Sequence, residues 1–396
     1  MTNHEDTKDA RLATKAVWAG EESTAEGPTT IPVVHSVTFG YRDLDDWFSV
    51  AVGDTPGHIY SRNTNPTVAP FEAKVAALEG AEAATSFSTG MAAVSNTLFT
   101  LLAPGDRVVS IKDTYGGTNK IFLEFCPRQK IEVDLVTTGD HEAMEAAIAK
   151  GCKVVYLETP TNPTLKILDI ERLAKAAAKV GAVTVVDNTF ATPINQNPLA
   201  LGVDLVLHSA TKFLGGHSDA MGGVVCGSKA LIQRIFHYRE ITGATLHPMS
   251  AYLLLRGLKT LHLRVERQNA SAMEVAKFLY QHDKVEAVYY PGLETHQHYQ
   301  VARRQMRGFG GMLSFELAGG FEAVKKVLPR LRFAHLAASL GSVGTLVGPP
   351  QTTSHVESSP EERRRMGISE SLVRYSTGIE DVHDLLEDLD AALKAI

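Results

Sequence analysis

A lysine preceded by two hydroxyl side chains is the most specific chemical signal in this sequence. Lys212 lies in the segment HSATKFLGGH, which closes the apolar run VDLVL. Its apolar and glycine-rich surroundings disfavour the alternative of a solvated surface lysine, and a desolvated lysine amine is the kind that forms Schiff bases. In an extended segment Ser209 and Thr211 would point to one side and Lys212 to the other. These groups suit a ligand that carries both a phosphate and a carbonyl carbon.

A carboxylate and an anion-binding turn could serve the same ligand. Asp187 ends the apolar run AVTVVD, where ligands bind in α/β sheets, and a carboxylate there needs a cationic partner. The alternative is an Asx turn or helix cap. The run SFSTGMAA enters a helix with small residues, and free N–H groups there favour an anion. The alternative is an ordinary N-cap at Ser88 or Thr89. A phosphate cradle, a carboxylate facing a pyridine and an aldehyde-reactive lysine are what pyridoxal 5′-phosphate (PLP) requires.

The elements that must position these groups are predicted from hydrophobic patterning. Short Val-rich runs alternate with helices of about 12 residues, which is typical of an α/β architecture with a mostly parallel sheet covered on both faces. After about residue 257, longer helices are separated by short strand-like pieces, which predicts a smaller α+β domain. Glycines and prolines interrupt the first 60 or so residues, so this part is an irregular surface segment or an arm on a partner subunit. We therefore predict an arm (1–62), a large cofactor domain (63–256) and a small domain (257–396).

Composition excludes several classes of function. The formal net charge is −6, which offers no electrostatic case for nucleic acid binding. No apolar run is long enough for a membrane span, and the polar N-terminus does not resemble a signal peptide, so we expect a cytoplasmic protein without membrane contact. The three cysteines are scattered, which indicates a reducing compartment. No metal is expected, because His296 and His298 are more simply a solvated loop than a metal-binding pair.

The motifs together resemble the PLP-dependent Cys/Met metabolism (trans-sulfuration) enzymes over nearly the whole chain. This family includes cystathionine γ-synthases, cystathionine γ-lyases, methionine γ-lyases and homoserine-ester sulfhydrylases. The resemblance implies the fold of type I PLP-dependent transferases, with a mostly parallel seven-stranded sheet in the large domain. The motifs that carry it are, in order, YSRNTNPT, STGMAA, DTYGGT, ETPTNPT, VVDNTF, SATKFLGGHSD, SLG and VRYSTGIE.

The resemblance also implies a role for each matching residue. Lys212 matches the lysine that holds PLP and shuttles protons, and Tyr115 matches the tyrosine that stacks on the cofactor ring and protonates a leaving group. Arg374 and Ser339 match the clamp on the substrate α-carboxylate, which suits a guanidinium fork. Further substrate-binding positions are Glu158 and Asn162. The further cofactor-binding positions are Tyr60, Arg62, Gly90, Met91, Asp187, Thr189, Ser209 and Thr211, of which Tyr60 and Arg62 would reach the cofactor of a neighbouring subunit.

The implied activity acts on a γ-substituted amino acid. We expect γ-elimination from a homoserine- or homocysteine-derived substrate, with γ-replacement on an activated homoserine ester as the alternative. The implied assembly is a homotetramer, a dimer of dimers whose active sites are shared between two subunits. A nicotinamide oxidoreductase is disfavoured because GxGxxG is absent after any predicted strand. A non-catalytic PLP-fold protein is disfavoured because Lys212, Asp187 and Arg374 are all present.

Two departures from the family pattern bear on the substrate. Gly344 stands where many relatives have glutamate in SLGxxE, and a carboxylate there suits a distal ammonium such as that of cystathionine. Its absence weakens cystathionine as the preferred substrate, unless the loop is rebuilt and another carboxylate substitutes. Gly117 stands where methionine γ-lyases usually have cysteine, and the run YGGTN is closer to cystathionine γ-lyases and synthases, so the two departures point to different subfamilies. A γ-lyase for an O-linked amino acid such as canavanine is therefore one candidate. Thr353, Ser354 and His355 keep only part of the family's usual run after this loop.

Overall fold

Two β-sheets flanked by helices make up the computed structural model, which describes residues 7–21, 27–354, 356, 359–365 and 367–396. The larger sheet has seven strands in the order β1-β7-β6-β5-β4-β2-β3, and β7 alone runs opposite to the other six. This confirms the α/β fold class and the mostly parallel sheet. Its strands are β1 (Ala83–Phe87), β2 (Arg107–Ile111), β3 (Glu132–Val136), β4 (Val154–Glu158), β5 (Val183–Asp187), β6 (Leu205–Ser209) and β7 (Gly223–Gly227).

The smaller sheet has five strands in the order β10-β11-β12-β9-β8 and is antiparallel except between β10 and β11. The short strand-like pieces expected near the C-terminus form its longer strands. The two short strands β10 and β11 carry too few residues to show a period, so the sequence did not predict them. The strands are β8 (Val285–Tyr289), β9 (Met312–Leu317), β10 (His335–Leu336), β11 (Leu346–Gly348) and β12 (Leu372–Ser376).

Helices cover both faces of the larger sheet. Tyr156 and Val185 belong to the apolar cluster on one face, whereas Val155 and Val186 belong to the cluster on the other. This alternation explains why the strands read as continuous apolar runs. The helices are α1 (Leu12–Trp18), α2 (Leu44–Val52), α3 (Val68–Glu79), α4 (Gly90–Leu101), α5 (Gly116–Lys120), α6 (Cys126–Arg128), α7 (His141–Ala149), α8 (Ile170–Lys179), α9 (Thr192–Asn195), α10 (Lys229–Thr242), α11 (Pro248–Leu258), α12 (Leu261–Tyr280), α13 (Tyr299–Gln305), α14 (Gly320–Val327), α15 (Pro360–Arg365) and α16 (Val382–Leu393).

The N-terminal segment is more regular than its glycines and prolines predicted, because it contains α1 and α2. The α1 helix is fixed by Lys74 of α3, whose buried Nζ donates to the carbonyl oxygens of Ala16 and Val17 at 3.0 and 2.8 Å. The α2 helix begins at a true cap, where Asp43 accepts the Asp45 N–H at 2.8 Å. None of its residues is buried. Within the described residues, no helix is long and apolar enough to cross a membrane.

Candidate active site

One cavity of about 360 Å³ is lined by every predicted site residue except Tyr60 and Arg62. It opens at the carboxyl ends of β4, β5 and β6, where an α/β sheet binds ligands. The smaller sheet contributes the opposite wall through β12 and the segment before β11. The predicted residues that line the cavity are Gly90, Met91, Tyr115, Glu158, Asn162, Asp187, Thr189, Ser209, Thr211, Lys212, Ser339 and Arg374.

Lys212 is held by a residue from the opposite wall. Its Nζ donates to the Ser339 Oγ at 2.8 Å. Burial lowers the pKa of Lys212 to about 8, and the positive charge of Arg374 lowers it further in the same direction. Both effects disfavour the protonated amine, so the Lys212 side chain is neutral in roughly a tenth of the molecules at pH 7.

The chain around Lys212 turns instead of staying extended. The β6 strand ends at Ser209, and the Lys212 N–H then donates to the Ser209 carbonyl at 3.1 Å. The expectation that Lys212 points away from Ser209 and Thr211 was therefore wrong, because the alternation of an extended strand stops at the turn. All three side chains line the same cavity.

Arg374 is a buried guanidinium held from both sides. Its Nη1 donates to the Asn162 Oδ1 at 3.2 Å, and its Nη2 donates to the Ser339 carbonyl at 2.9 Å. Burial lowers its pKa to about 10, so it stays charged at neutral pH. Ser339 itself has a φ of +87°, a left-handed conformation that few non-glycine residues adopt. In this conformation the Ser339 hydroxyl oxygen accepts a hydrogen bond from Lys212, and the Ser339 carbonyl oxygen accepts one from Arg374.

The turn predicted to bind an anion lines the same cavity as these cations. The α4 helix starts at Gly90, and the Thr89 hydroxyl caps it by accepting the Ala92 N–H at 3.0 Å. The cap and the anion site are therefore compatible, because the cap uses only one of the free N–H groups of the first turn. A Cβ added at Gly90 would lie 2.7 Å from the Ser209 Cβ, so only glycine permits this close approach. The Ser209 N–H is held by the Thr189 Oγ1 at 2.8 Å.

Two carboxylates face each other across neighbouring strands. Glu158 of β4 and Asp187 of β5 are direct partners in the parallel register. Burial raises the pKa of both carboxyls, and the Asp187 charge raises that of Glu158 further. Backbone donors compensate in part, since Glu158 accepts the Tyr115 N–H at 2.7 Å and Asp187 accepts the Thr189 N–H at 3.0 Å. Among the described residues, no lysine or arginine forms an ion pair with either carboxylate.

Tyr115 stands at the rim of the cavity, where its side chain is 44% exposed. Tyr115 directly precedes α5. Two residues later, Gly117 has little free space around its Cα. A Cβ at Gly117 would lie 2.8 Å from the Met91 Sδ and 3.1 Å from the Tyr115 ring. A cysteine at this position would therefore require Met91 to move.

Tyr60 and Arg62 lie outside this cavity. The Arg62 Nη1 donates to the Glu240 carbonyl at 2.7 Å, and its guanidinium lies 5.7 Å from the centre of the Tyr60 ring. Tyr60 is 39% exposed. The two residues form a surface cluster, separate from the cavity of their own chain.

Two loops noted in the sequence, around Gly344 and around His296 and His298, can be compared with the structure. A Cβ at Gly344 would lie 3.8 Å from the His335 ring, and Gly344 does not line the cavity. The solvated loop predicted around His296 and His298 was wrong: His296 is buried, and the His298 Nδ1 accepts the Ile167 N–H at 3.1 Å. Within the described part of the chain, no group of three or more His, Cys, Asp or Glu side chains could hold a metal ion.

The cavity has further lining residues that the sequence did not single out. Thr353 and Ser354 lie in the run noted above for its family departure, whereas His355 lies outside the described residues. The signal for the others was weak, because they are common residues in loops or beside motifs. They are Val94, Thr118, Pro160, Phe190, Leu207, Met221, Ala338 and Leu340. Thr89, which the sequence indicated only as a possible helix cap, also lines the cavity.

Residues 13–394 match the family model for Cys/Met metabolism PLP-dependent enzymes. The chain belongs to this family. It is 43% identical to an L-methionine γ-lyase of Fusobacterium nucleatum subsp. polymorphum, over 99% of this chain and 100% of that protein. It is also 43% identical to a cystathionine γ-lyase of Bacillus subtilis, over 95% of this chain and 97% of that protein. A crystal structure of cystathionine γ-synthase from Xanthomonas oryzae pv. oryzae, in complex with aminoacrylate and cysteine, has a TM-score of 0.93 at 40% identity and covers 98% of both chains.

Membership in the Cys/Met metabolism family confirms three of the expectations from sequence. The chain has the fold of these enzymes, it is a PLP-dependent enzyme, and its chemistry is γ-elimination or γ-replacement. The relatives carry both lyase and synthase names at similar identity. Overall similarity therefore does not separate the two reactions.

The lowered pKa of Lys212 predicts an unusually reactive amine in the PLP-free protein. Acylation of Lys212 by an amine-specific reagent, followed by peptide mass spectrometry, should rise with pH around a midpoint of about 8. In Arg374→Gln the midpoint should move to higher pH, because the charge that disfavours the protonated amine is removed. A wild-type midpoint at the free-lysine value of about 10.4 would contradict the burial argument.

Proposed function

We propose that the enzyme catalyses γ-elimination of a γ-substituted amino acid at this cavity. The observation that carries the proposal is the contact of Lys212 with Ser339, which brings an amine of lowered pKa beside the guanidinium of Arg374. A substrate whose α-carboxylate binds Arg374 would have its Cα close to Lys212. The reaction needs at least one group that binds the α-carboxylate and one that removes the Cα proton, and Arg374 and Lys212 would fill these two roles.

The side chains of the cavity fit PLP. Asp187 is a partly buried carboxylate without a lysine or arginine ion-pair partner among the described residues, and the pyridinium of PLP would supply a cation. The Gly90–Ser209 contact forms a close-fitting turn at a helix N-terminus, which suits the phosphate. We assign Ser209, Thr211 and the N–H groups of Gly90 and Met91 to the phosphate. Tyr115 would stack on the ring, and Thr189 would hold the segment that carries Asp187.

The residues of this chain would then divide the steps of the reaction. PLP, when bound, withdraws electrons from the substrate Cα. Lys212 removes the Cα proton and moves protons between neighbouring atoms, which a pKa of about 8 allows near neutral pH. Arg374 and Asn162 orient the α-carboxylate, and Ser339 keeps the Lys212 amine aimed into the cavity. Tyr115 would protonate the departing γ-substituent.

The substrate assignment rests on which charges the cavity offers. Its charged lining residues are Glu158, Asp187, Lys212 and Arg374, and the Glu158 carboxylate already accepts the Tyr115 N–H. No further carboxylate lines the described cavity to meet a distal ammonium. This favours a γ-substituent without a distal ammonium, such as the methylthio group of methionine or an O-linked group as in canavanine, over cystathionine.

The alternative is γ-replacement on an activated homoserine ester. The similarity to a solved cystathionine γ-synthase favours it as strongly as the lyase names favour elimination. Both reactions use the same early steps, so the same residues would serve either one. The difference lies in whether a thiol intercepts the intermediate.

A substrate panel distinguishes these reactions. Methionine, homocysteine, cystathionine, canavanine and O-acyl or O-phospho homoserine are each supplied with and without cysteine, and oxoacid and thioether are measured. We expect oxoacid from methionine or canavanine without added thiol, at a higher kcat/KM than from cystathionine. Lys212→Ala should lose at least about a hundredfold in rate. Thioether formation at higher efficiency whenever thiol is present would establish γ-replacement instead.

We further propose that the 1–62 arm, the 63–256 cofactor domain and the 257–396 domain assemble as a homotetramer in the cytoplasm, with sites shared between subunit pairs. Tyr60 and Arg62 lie outside the cavity of their own chain, which fits a role in a neighbour's site. The α2 helix of the arm exposes a row of large apolar side chains, as expected of a surface that a second subunit covers. These are Leu44, Trp47, Phe48 and Val52.

Mixing two inactive variants tests whether the sites are shared. Lys212→Ala and Arg62→Ala subunits are coexpressed, and PLP-dependent turnover of the mixture is compared with that of each variant alone. A hybrid pair has one complete site, so random pairing should restore about a quarter of wild-type activity. Activity no higher than the mean of the separate variants would show that Arg62 acts only within its own chain.

A further inference from the structure

Tyr156 is a buried polar residue that the proposed reaction does not use. It lies on β4, its ring is fully buried, and its hydroxyl has no hydrogen-bond partner among the described residues. The same is true of the hydroxyl of Thr118, which lines the cavity. A buried hydroxyl is normally hydrogen-bonded, so one without a partner in the PLP-free chain remains available as a donor to a nearby acceptor.

The sheet register directs Tyr156 towards the two carboxylates of the cavity. Tyr156 and Glu158 are two residues apart on β4 and therefore point to the same face of the sheet. Glu158 is paired with Asp187, and Tyr156 with Val185, on the neighbouring strand β5. Asp187 is thus on the same face, one step towards the carboxyl end.

Packing keeps the Tyr156 ring in this place. The ring of Phe122 meets it edge-on, with the ring centres 5.6 Å apart. Both rings belong to the apolar cluster between the sheet and the helices on the cavity side. The phenol ring is therefore fixed in the core below the cavity, beside the lining residues Met91 and Leu207 of the same cluster.

The charge state of Tyr156 makes it a hydrogen-bond donor. Burial raises the pKa of its hydroxyl well above the ordinary value, and the charges of Asp187 and Glu158 raise it further. The phenol is therefore neutral throughout the working pH range. One oxygen of Asp187 already accepts the Thr189 N–H at 3.0 Å, which leaves the other for a second donor.

We propose that Tyr156 is a positioning residue for Asp187, whose carboxylate it hydrogen-bonds and keeps ionised against the ring nitrogen of PLP. The inference rests on the proposed role of Asp187. A donor to the carboxylate stabilises its anionic form, so that the proton stays on the pyridine nitrogen and the ring stays electron-withdrawing. Without this donor Asp187 would be a stronger base and would draw the proton away from the ring.

The proposal has a spectroscopic consequence. A protonated ring nitrogen lowers the pKa of the nearby imine between PLP and Lys212 through charge repulsion. Loss of ring protonation would therefore raise the pH at which the visible band of the bound cofactor titrates. The other titratable groups near Tyr156 and Asp187 are unchanged between wild type and the Tyr156→Phe variant used below. They are Asp113, Tyr115, Glu158, His208 and Lys212.

The test is the pH titration of the absorption spectrum of holoenzyme Tyr156→Phe, which keeps the ring and removes only the hydroxyl. We expect the midpoint to rise by about one pH unit relative to wild type, which corresponds to about 1.4 kcal/mol. We also expect kcat to fall about tenfold, with little change in KM. The matched control is Tyr290→Phe, which also removes a hydroxyl from a fully buried phenol, one that donates to the Gly310 carbonyl at 2.9 Å away from the cavity.

The outcomes separate the inference from the proposed function. An unchanged titration midpoint in Tyr156→Phe, with the wild-type spectrum that of lysine-bound PLP, overturns the inference and leaves the proposed function intact. An equal shift in Tyr290→Phe would show that the effect is general destabilisation and would also overturn the inference.

If Tyr156→Phe fails to fold, Thr118→Val tests the neighbouring hydroxyl. A midpoint rise smaller than that expected for Tyr156→Phe supports the proposal, and a larger rise assigns the donor role to Thr118 instead.

Discussion

The site depends on four ionisable side chains of one cavity that do not neutralise one another directly. Asp187 and Glu158 come from adjacent strands of the larger sheet, whereas Lys212 and Arg374 line the same cavity. Among the described residues, none of these four forms an ion pair with another. Burying unpaired charge is costly, so the cavity is stable only if dipoles and ligands compensate it. The bare chain compensates in part through backbone N–H groups and hydroxyls.

This arrangement of charge explains why the two sheets must meet at one edge. The parallel strands β4, β5 and β6 end together, which brings Glu158, Asp187 and Ser209 to one wall. The smaller sheet supplies Arg374 from the middle of β12, and the left-handed Ser339 links that wall to Lys212. A shift of the smaller sheet would separate Arg374, the group proposed to bind the carboxylate, from Lys212, the group proposed to transfer the proton. Catalytic geometry therefore depends on packing far from the reacting atoms.

The sequence predicted the larger sheet well because each strand is buried on both faces and reads as a Val-rich run. It predicted Lys212 and Asp187 because each follows such a run. It failed at the turn after Ser209, where strand alternation gives the wrong side for Lys212, and at the loop around His296, where polar residues are buried by long-range packing. It also gave no reason to notice Tyr156, since one tyrosine within an apolar strand is typical of a core. The turn after Ser209 is a local feature that strand periodicity does not show, whereas the loop around His296 and the packing of Tyr156 depend on contacts distant in sequence.

Asp187 is a partly buried carboxylate whose ionised form is costly in the PLP-free chain, and in the proposed assignment bound PLP would neutralise it. The most direct measurement is the free energy of unfolding of Asp187→Asn with and without PLP, since asparagine keeps the acceptor for the Thr189 N–H. Because burial raises the Asp187 pKa, the ionised side chain destabilises the PLP-free protein at neutral pH, and the variant should be more stable than wild type without PLP. The increment from PLP, about 2.7 kcal/mol at a hundred times Kd in wild type, should fall towards zero in the variant. A less stable PLP-free variant that retains the full PLP increment would contradict the account.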